Sequence, residues 1–128
     1  MITPQDLRIG NFVKYNGELY AIRSFDEEHV VLKDNVLAEY YLDYIGYDEI
    51  EAIEITEEWL LKLGVFIVET CKSFEASFPN FRFSLHKSEN YDGWLFCENE
   101  TVITDKIHYV NQLQNLFFAL AGKELEIK

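Results

Sequence analysis

The stretch "NFVKYNGELYAIRSF", residues 11–25, decides the fold class. Two runs rich in aromatic and branched residues flank Asn16 and Gly17. That dipeptide is the preferred centre of a two-residue type I′ turn, because both turn positions need a positive φ. The stretch therefore predicts a β-hairpin. In its second strand, Leu19, Ala21 and Phe25 are expected on one face, with Tyr20 and Ile22 on the other. Apolar residues on both faces fit a small, strongly curved sheet.

Upstream, "TPQDLRIGN" (residues 3–11) opens with a helical-turn signature. Thr3 can cap, Pro4 suits the first helical position, and Asp6 follows at capping-box spacing. Gly10 ends this turn. Downstream, "HVVLK" (29–33) reads as a strand after the turn "DEE", and "EYYLDYI" (39–45) as another after "DNV". "GYDEI" (46–50) reads as a turn or 3₁₀ segment, and "AIEI" (52–55) as a closing strand. Short strands joined by tight polar turns predict a small SH3-like β-barrel, with an open antiparallel sheet as the alternative.

At Thr56 the pattern changes period. Thr56 is an N-cap, Glu57 and Glu58 occupy the electropositive first turn, and Gly64 supplies a left-handed stop. Ile55 and Leu60 have the spacing of a hydrophobic staple. "TEEWLLKLG" (56–64) is thus a two-turn helix. "VFIVETC" (65–71), "FRFSLHK" (81–87) and "WLFCEN" (94–99) read as strands, "ETVIT" (100–104) extends their sheet, and "ELEI" (124–127) adds a last short strand. In "FRFSLHK" Phe81, Phe83 and Leu85 share one side, and Arg82, Ser84 and His86 the other. The fold class is α+β: residues 1–55 form the barrel-like subdomain, and residues 56–128 a helix, an antiparallel sheet and a C-terminal helix, packed as one unit. Trp59, Leu60, Leu63, Phe83, Leu113 and Phe117 are the expected core.

The C-terminal helix is expected from near Asp105 to Gly122. On a helical wheel Ile107, Tyr109, Val110, Leu113, Leu116, Phe117, Leu120 and Ala121 fill one half. His108, Gln112, Asn115 and Ala119 fall opposite, with Gln112 and Asn115 solvated and Asn111 and Phe118 at a border. Gln114 falls inside the apolar half, where an unpaired amide costs on the order of 1–3 kcal/mol. It therefore needs partners, and backbone groups at a strand end are the favoured ones. The competing reading is a contact site formed by Asn111, Gln114, Asn115 and Phe118.

"YVNQLQNLFFALAGKELEI" (109–127), together with "LRIGNFV" (7–13), "NGELY" (16–20) and "ITEEWLLKLGV" (55–65), resembles a family of small uncharacterised proteins of gut Bacteroidetes, found alongside prophage and conjugative-element genes. The order of motifs matches over nearly the whole chain. The resemblance implies a mobile-element context and no particular mechanism. Relatives often carry His where this chain has Asn111, and Thr where it has Ala121, which speaks against a catalytic base or metal ligand at position 111 here.

The net charge of −12 argues against direct nucleic-acid binding, which needs Lys and Arg to replace phosphate counterions. The charge is uneven. Between Lys33 and Lys62 stand Asp34, Glu39, Asp43, Asp48, Glu49, Glu51, Glu54, Glu57 and Glu58, with no basic residue and with Tyr40, Tyr41, Tyr44, Tyr47 and Trp59 interleaved. A solvated surface is one reading. A docking surface for a basic protein partner is another, and a decoy imitating DNA a third. No apolar run approaches the roughly 20 residues of a membrane helix, and "MITPQDLRIG" lacks the basic and apolar regions of a signal peptide. A cytoplasmic protein is expected, with Cys71 and Cys97 reduced.

No cofactor motif is present: there is no Gly-rich phosphate loop, no nucleophile elbow and no nucleophile–base pair. Cys71, His86, Cys97 and His108 lack the short ligand spacing of a zinc site. Enzymatic activity is unmotivated by these residues. The chain reads first as a non-enzymatic protein-interaction module, with Glu49, Glu51, Glu54 and Glu58 as the acidic contacts. The alternatives are the DNA-mimic decoy and a small-ligand binder or enzyme where the barrel meets the C-terminal helix. Oligomeric state is not legible.

Overall fold

The computed structural model describes residues 2–34, 41–69, 73–79, 81–88, 92–99 and 101–127. The chain forms two compact units, residues 1–54 with 109–116, and residues 55–108 with 117–128. The fold is α+β, with two antiparallel five-stranded sheets and two α-helices among the described residues.

The first unit is built on β1 (Phe12–Tyr15), β2 (Glu18–Phe25), β3 (His29–Asp34), β4 (Tyr41–Gly46) and β5 (Ile50–Glu51), in the order β4-β3-β2-β1-β5. Asn16 and Gly17 have φ of 52° and 77°, and Tyr15 pairs with Glu18, as the type I′ hairpin requires. Tyr20 and Ile22 face the core. Phe25 does too, against expectation: a bulge between Ile22 and Ser24 inserts an extra residue and reverses the face of everything after it. Val13, Val30, Leu32, Ile45, Tyr47 and Ile50 complete this core, under Ile2 and Leu7.

A 3₁₀ turn over Pro4–Asp6 is held as expected: Thr3 N and Oγ1 both donate to Asp6 Oδ2, at 2.8 and 2.9 Å. A second, Tyr47–Glu49, delivers Ile50 opposite Tyr15. The closing strand is therefore Ile50–Glu51 and not residues 52–55, which leave the ladder to bury Ile53 and Ile55. Glu54 makes a single bridge to Tyr109. Among the described residues β4 and β5 are free edges that do not pair with each other, so this is an open sheet where a closed barrel was expected. The first turns of α2 (Val110–Ala121) belong to this unit.

The second unit begins with α1 (Glu57–Lys62). Thr56 Oγ1 accepts from Trp59 N at 3.2 Å. The end is a Schellman motif, in which Gly64 N donates to Leu61 O and Val65 N to Leu60 O, each at 3.0 Å, with Gly64 at φ 77°. The sheet order is β10-β9-β8-β7-β6, from β6 (Phe66–Glu69), β7 (Ser73–Ser77), β8 (Phe83–Ser88), β9 (Trp94–Glu98) and β10 (Thr101–Ile107). Strand β7, "SFEAS", was not expected; Ser, Glu and Ala give a weak strand signal, and pairing on both sides by β6 and β8 supplies what propensity does not.

The helix begins at Val110, not near Asp105. Residues 101–107 are claimed by β10, whose ladder runs as far as Ile107 opposite Trp94. Residues 124–127 form no strand, although Leu125 is buried. An aromatic cluster fills the unit, with Phe117 at 5.2 Å from Phe78 and 4.9 Å from Phe81, and Phe83 at 5.4 Å from Phe96. Trp59, Leu60, Leu63, Phe83, Leu113 and Phe117 are all buried. Among the described residues, no helix is long and apolar enough to cross a membrane.

Candidate functional site

Three of the four carboxamides of α2, those of Asn111, Gln114 and Asn115, are fixed on the chain entering β1. Gln114, 1% exposed, uses both ends of its amide: Oε1 accepts from Phe12 N at 2.8 Å, and Nε2 donates to Gly10 O at 3.1 Å. It thus substitutes for a missing strand neighbour at the start of β1, the backbone role expected of it. Asn115 is not simply solvated. Its Nδ2 donates to Asp6 O at 3.0 Å, and its Oδ1 accepts from Asn11 Nδ2 at 2.7 Å.

Asn11 is the contributor that sequence reasoning missed. It is fully buried, and its Oδ1 accepts from Arg8 N at 2.7 Å. Its position between Gly10 and a strand is the only signal available, and that signal reads as an ordinary turn residue. Arg8 Nη2 adds a bond to Gln114 O at 3.3 Å. Gln112 is exposed, and its Oε1 accepts from Tyr109 N at 3.0 Å, capping the helix start.

Asn111 is buried at 3% exposure, not at a border. Its Nδ2 donates to Asp6 O at 3.2 Å. Its Oδ1 is buried with no hydrogen-bond partner. The residue lines a cavity of about 400 Å³ together with Ile2, Asp6, Ile50, Glu51, Ala52, Tyr109 and Gln112, all within the first unit. The expected quartet is only partly assembled: Asn111, Gln114 and Asn115 converge on residues 6–12, whereas Phe118 belongs to the second unit. Leu120, expected on the packed face, is exposed.

The acidic residues separate in the same way. Asp43, Asp48, Glu49, Glu51 and Glu54 lie on residues 41–54 of the first unit, and all are exposed. Glu58 lies on α1 of the second, 3.6 Å from Lys62 Nζ. Glu49 Oε2 accepts from Gly46 N at 2.9 Å. None of the five acidic residues in 41–54 has an ion pair among the described residues. Buried Ile45, Tyr47, Ile50 and Ile53 anchor the segment, and Tyr41 and Tyr44 stand outward. Tyr44 is 77% exposed at a φ of 57°, its ring edge-on to His29 at 5.9 Å. Arg23 lies over the Tyr41 ring at 4.2 Å. Glu39 and Tyr40 lie outside the described residues.

In the second unit a cavity of about 680 Å³ is floored by Phe78, Phe81 and Phe117 and rimmed by Lys123, Glu124 and Glu126. His86 Nε2 lies 2.9 Å from Ser84 Oγ, and His108 Nδ1 lies 3.9 Å from Asp92 Oδ1. Cys97 is a buried free thiol, its pKa pushed up by burial and by the charge of Glu75. Cys71 lies outside the described residues. No cluster of metal-ligating side chains is present among the described residues. Comparison with protein-family models, with curated proteins and with solved structures returned no match.

Proposed function

We propose that the first unit is a non-enzymatic protein-docking module, and that residues 41–54 carry the contact. One observation supports this reading above the others. A single segment, anchored by four buried apolar side chains, presents five exposed carboxylates and two outward tyrosines, and no cation among the described residues forms an ion pair with them. Unpaired charges of one sign steer a partner of the other sign, and tyrosines supply contact area at low entropic cost. The partner is a protein with a basic surface. A four-strand meander whose fifth strand returns to β1 is also the order of an SH3-like module, and that architecture is proposed for this unit. The setting is the cytoplasm of a bacterium carrying a mobile element.

The test is capture from a bacterial lysate, nuclease-treated, by the wild-type chain and by Asp43→Lys/Asp48→Lys/Glu54→Lys. These three side chains make no hydrogen bond or ion pair within the described residues, so their reversal leaves the fold intact. The wild type retains a stoichiometric basic partner that high salt releases, and the reversed variant does not. Release of that partner by duplex DNA points instead to the decoy role.

A further inference from the structure

Each sheet ends in two strands that have no outer neighbour among the described residues, and such edges pair with other chains unless something blunts them. Three of the four are blunted. Strand β5 is two residues long. Strand β4 is bulged, by a register shift between Val30 and Leu32 of its partner, and carries exposed Asp43 and Tyr44, the latter at a φ of 57°. Strand β10 has two register shifts and Lys106 at a φ of 55°.

Strand β6 carries none of these devices. Its four residues pair in unbroken register with β7, from Phe66 opposite Ser77 to Glu69 opposite Phe74. It contains no proline, no lysine and no positive φ, and its backbone makes no hydrogen bond outside that ladder among the described residues. Phe66 and Val68 share one face and are 68% and 58% exposed. Ile67 points the other way, half-buried, at the end of a row that continues through Ala76, Leu85 and Phe96, all fully buried. The edge is apolar on both faces, so the strand that completes it is apolar on both faces too.

From this edge we infer that β6 pairs antiparallel with β6 of a second copy of the chain, joining two sheets across a two-fold axis. The strand is its own complement. A two-fold axis perpendicular to the sheet sets residues of the same face opposite each other, so the register centres on a residue. Centred on Ile67, it brings Phe66 against Val68 of the second copy, twice, and Ile67 against its counterpart, which continues the buried row. The two Glu69 carboxylates fall at opposite ends, so no like charges meet. One strand pair is a small contact, and the net charge of −12 on each copy opposes it, so the dimer is weak, with a dissociation constant of ~10–500 µM in moderate salt. This pairing goes beyond the docking surface and uses no residue of the first unit. Salt acts oppositely on the two: screening weakens docking of a basic partner and strengthens pairing of like-charged copies. Either assignment can fail alone.

Sedimentation equilibrium of the full chain in reducing buffer, from ~10 µM to ~1 mM, is expected to show a monomer–dimer equilibrium that tightens as salt is raised. Val68→Lys places on the edge the charge that blunts natural edges, at an exposed position opposite Glu75, and is expected to weaken association about tenfold. Val102→Lys makes the same charge change at an exposed position of β10 and is expected not to weaken it. In a mixture of ¹³C-labelled and unlabelled chain, isotope-filtered NOEs are expected between the Phe66 ring of one copy and the Val68 methyls of the other. The inference is overturned by a chain that stays monomeric at every concentration, which would leave the edge to a foreign strand. It is equally overturned by a dimer that Val68→Lys leaves intact or that Val102→Lys weakens as much, or by intermolecular NOEs confined to other residues.

Discussion

Replacing Gln114 separates a structural amide from a functional one. Leu is close to Gln in volume, so Gln114→Leu leaves no large cavity but deletes both hydrogen bonds. The Phe12 N–H is then stranded in a buried position, and the Gly10 carbonyl, only partly buried, regains some water. One buried unsatisfied donor and one partly solvated acceptor together destabilise by about 2–4 kcal/mol. Urea unfolding measures the loss, and amide exchange at Phe12 locates it, because protection there falls to that of a frayed strand end.

Gln114→Glu sharpens the test. A neutral carboxylic acid can donate to Gly10 O and accept from Phe12 N, restoring the pair; a carboxylate only accepts and is desolvated. Its folded-state pKa is therefore raised above the unfolded value of about 4.3. A raised acid is more protonated folded than unfolded, so stability is greatest below the unfolded pKa and falls as pH rises through the folded one. The gap between Gln114→Glu and wild type is narrow near pH 4 and wide at pH 7. A Gln114→Leu variant within about 0.5 kcal/mol of wild type, the range of an ordinary surface change, with Phe12 exchange unaltered, refutes the reasoning.

Three further outcomes are expected. Leu113→Ala, at a fully buried position of the first unit, lowers stability by about 2–5 kcal/mol in urea unfolding; a loss under about 1 kcal/mol means the helix packs by another face. Thr56→Ala removes the acceptor for Trp59 N and costs about 0.5–2 kcal/mol, read by thermal unfolding. Asp26 accepts from the amides of His29 and Glu28, which hold its carboxyl below the usual value of 3.8, so its contribution is present above that pH and is lost as pH falls through the folded pKa. Wild type therefore loses stability more steeply than Asp26→Asn on acidification below about pH 4.

Local chemistry made much of the fold legible. Asn16-Gly17, Thr56 with Gly64, and Thr3 with Asp6 each act through backbone groups within a few residues, and each forms as the sequence implies. What escaped depends on partners distant in sequence. The bulge that turns Phe25 inward is a feature of the β2–β3 ladder, invisible in β2 alone. Strand β7 exists because two neighbours pair with it. The start of α2 is set by competition with β10, which holds Ile107 against Trp94.

The candidate site divides along the same line. Gln114 announced itself by breaking the apolar period of its helix. Asn11 and the orphan oxygen of Asn111 did not, because their significance comes from Asn115 and Asp6 respectively, each about a hundred residues away in sequence. Grouping Glu58 with Glu49, Glu51 and Glu54 followed their proximity in sequence, whereas the helical residue belongs to the other compact unit.

The most direct measurement for the docking reading is the salt dependence of binding between the captured partner and the purified chain, wild type against Asp43→Lys/Asp48→Lys/Glu54→Lys. Affinity of the wild type is expected to fall steeply with ionic strength, and the variant is expected to bind weakly at every salt concentration. Equal affinities with equal salt slopes for the two proteins contradict the assignment of residues 41–54 as the contact surface.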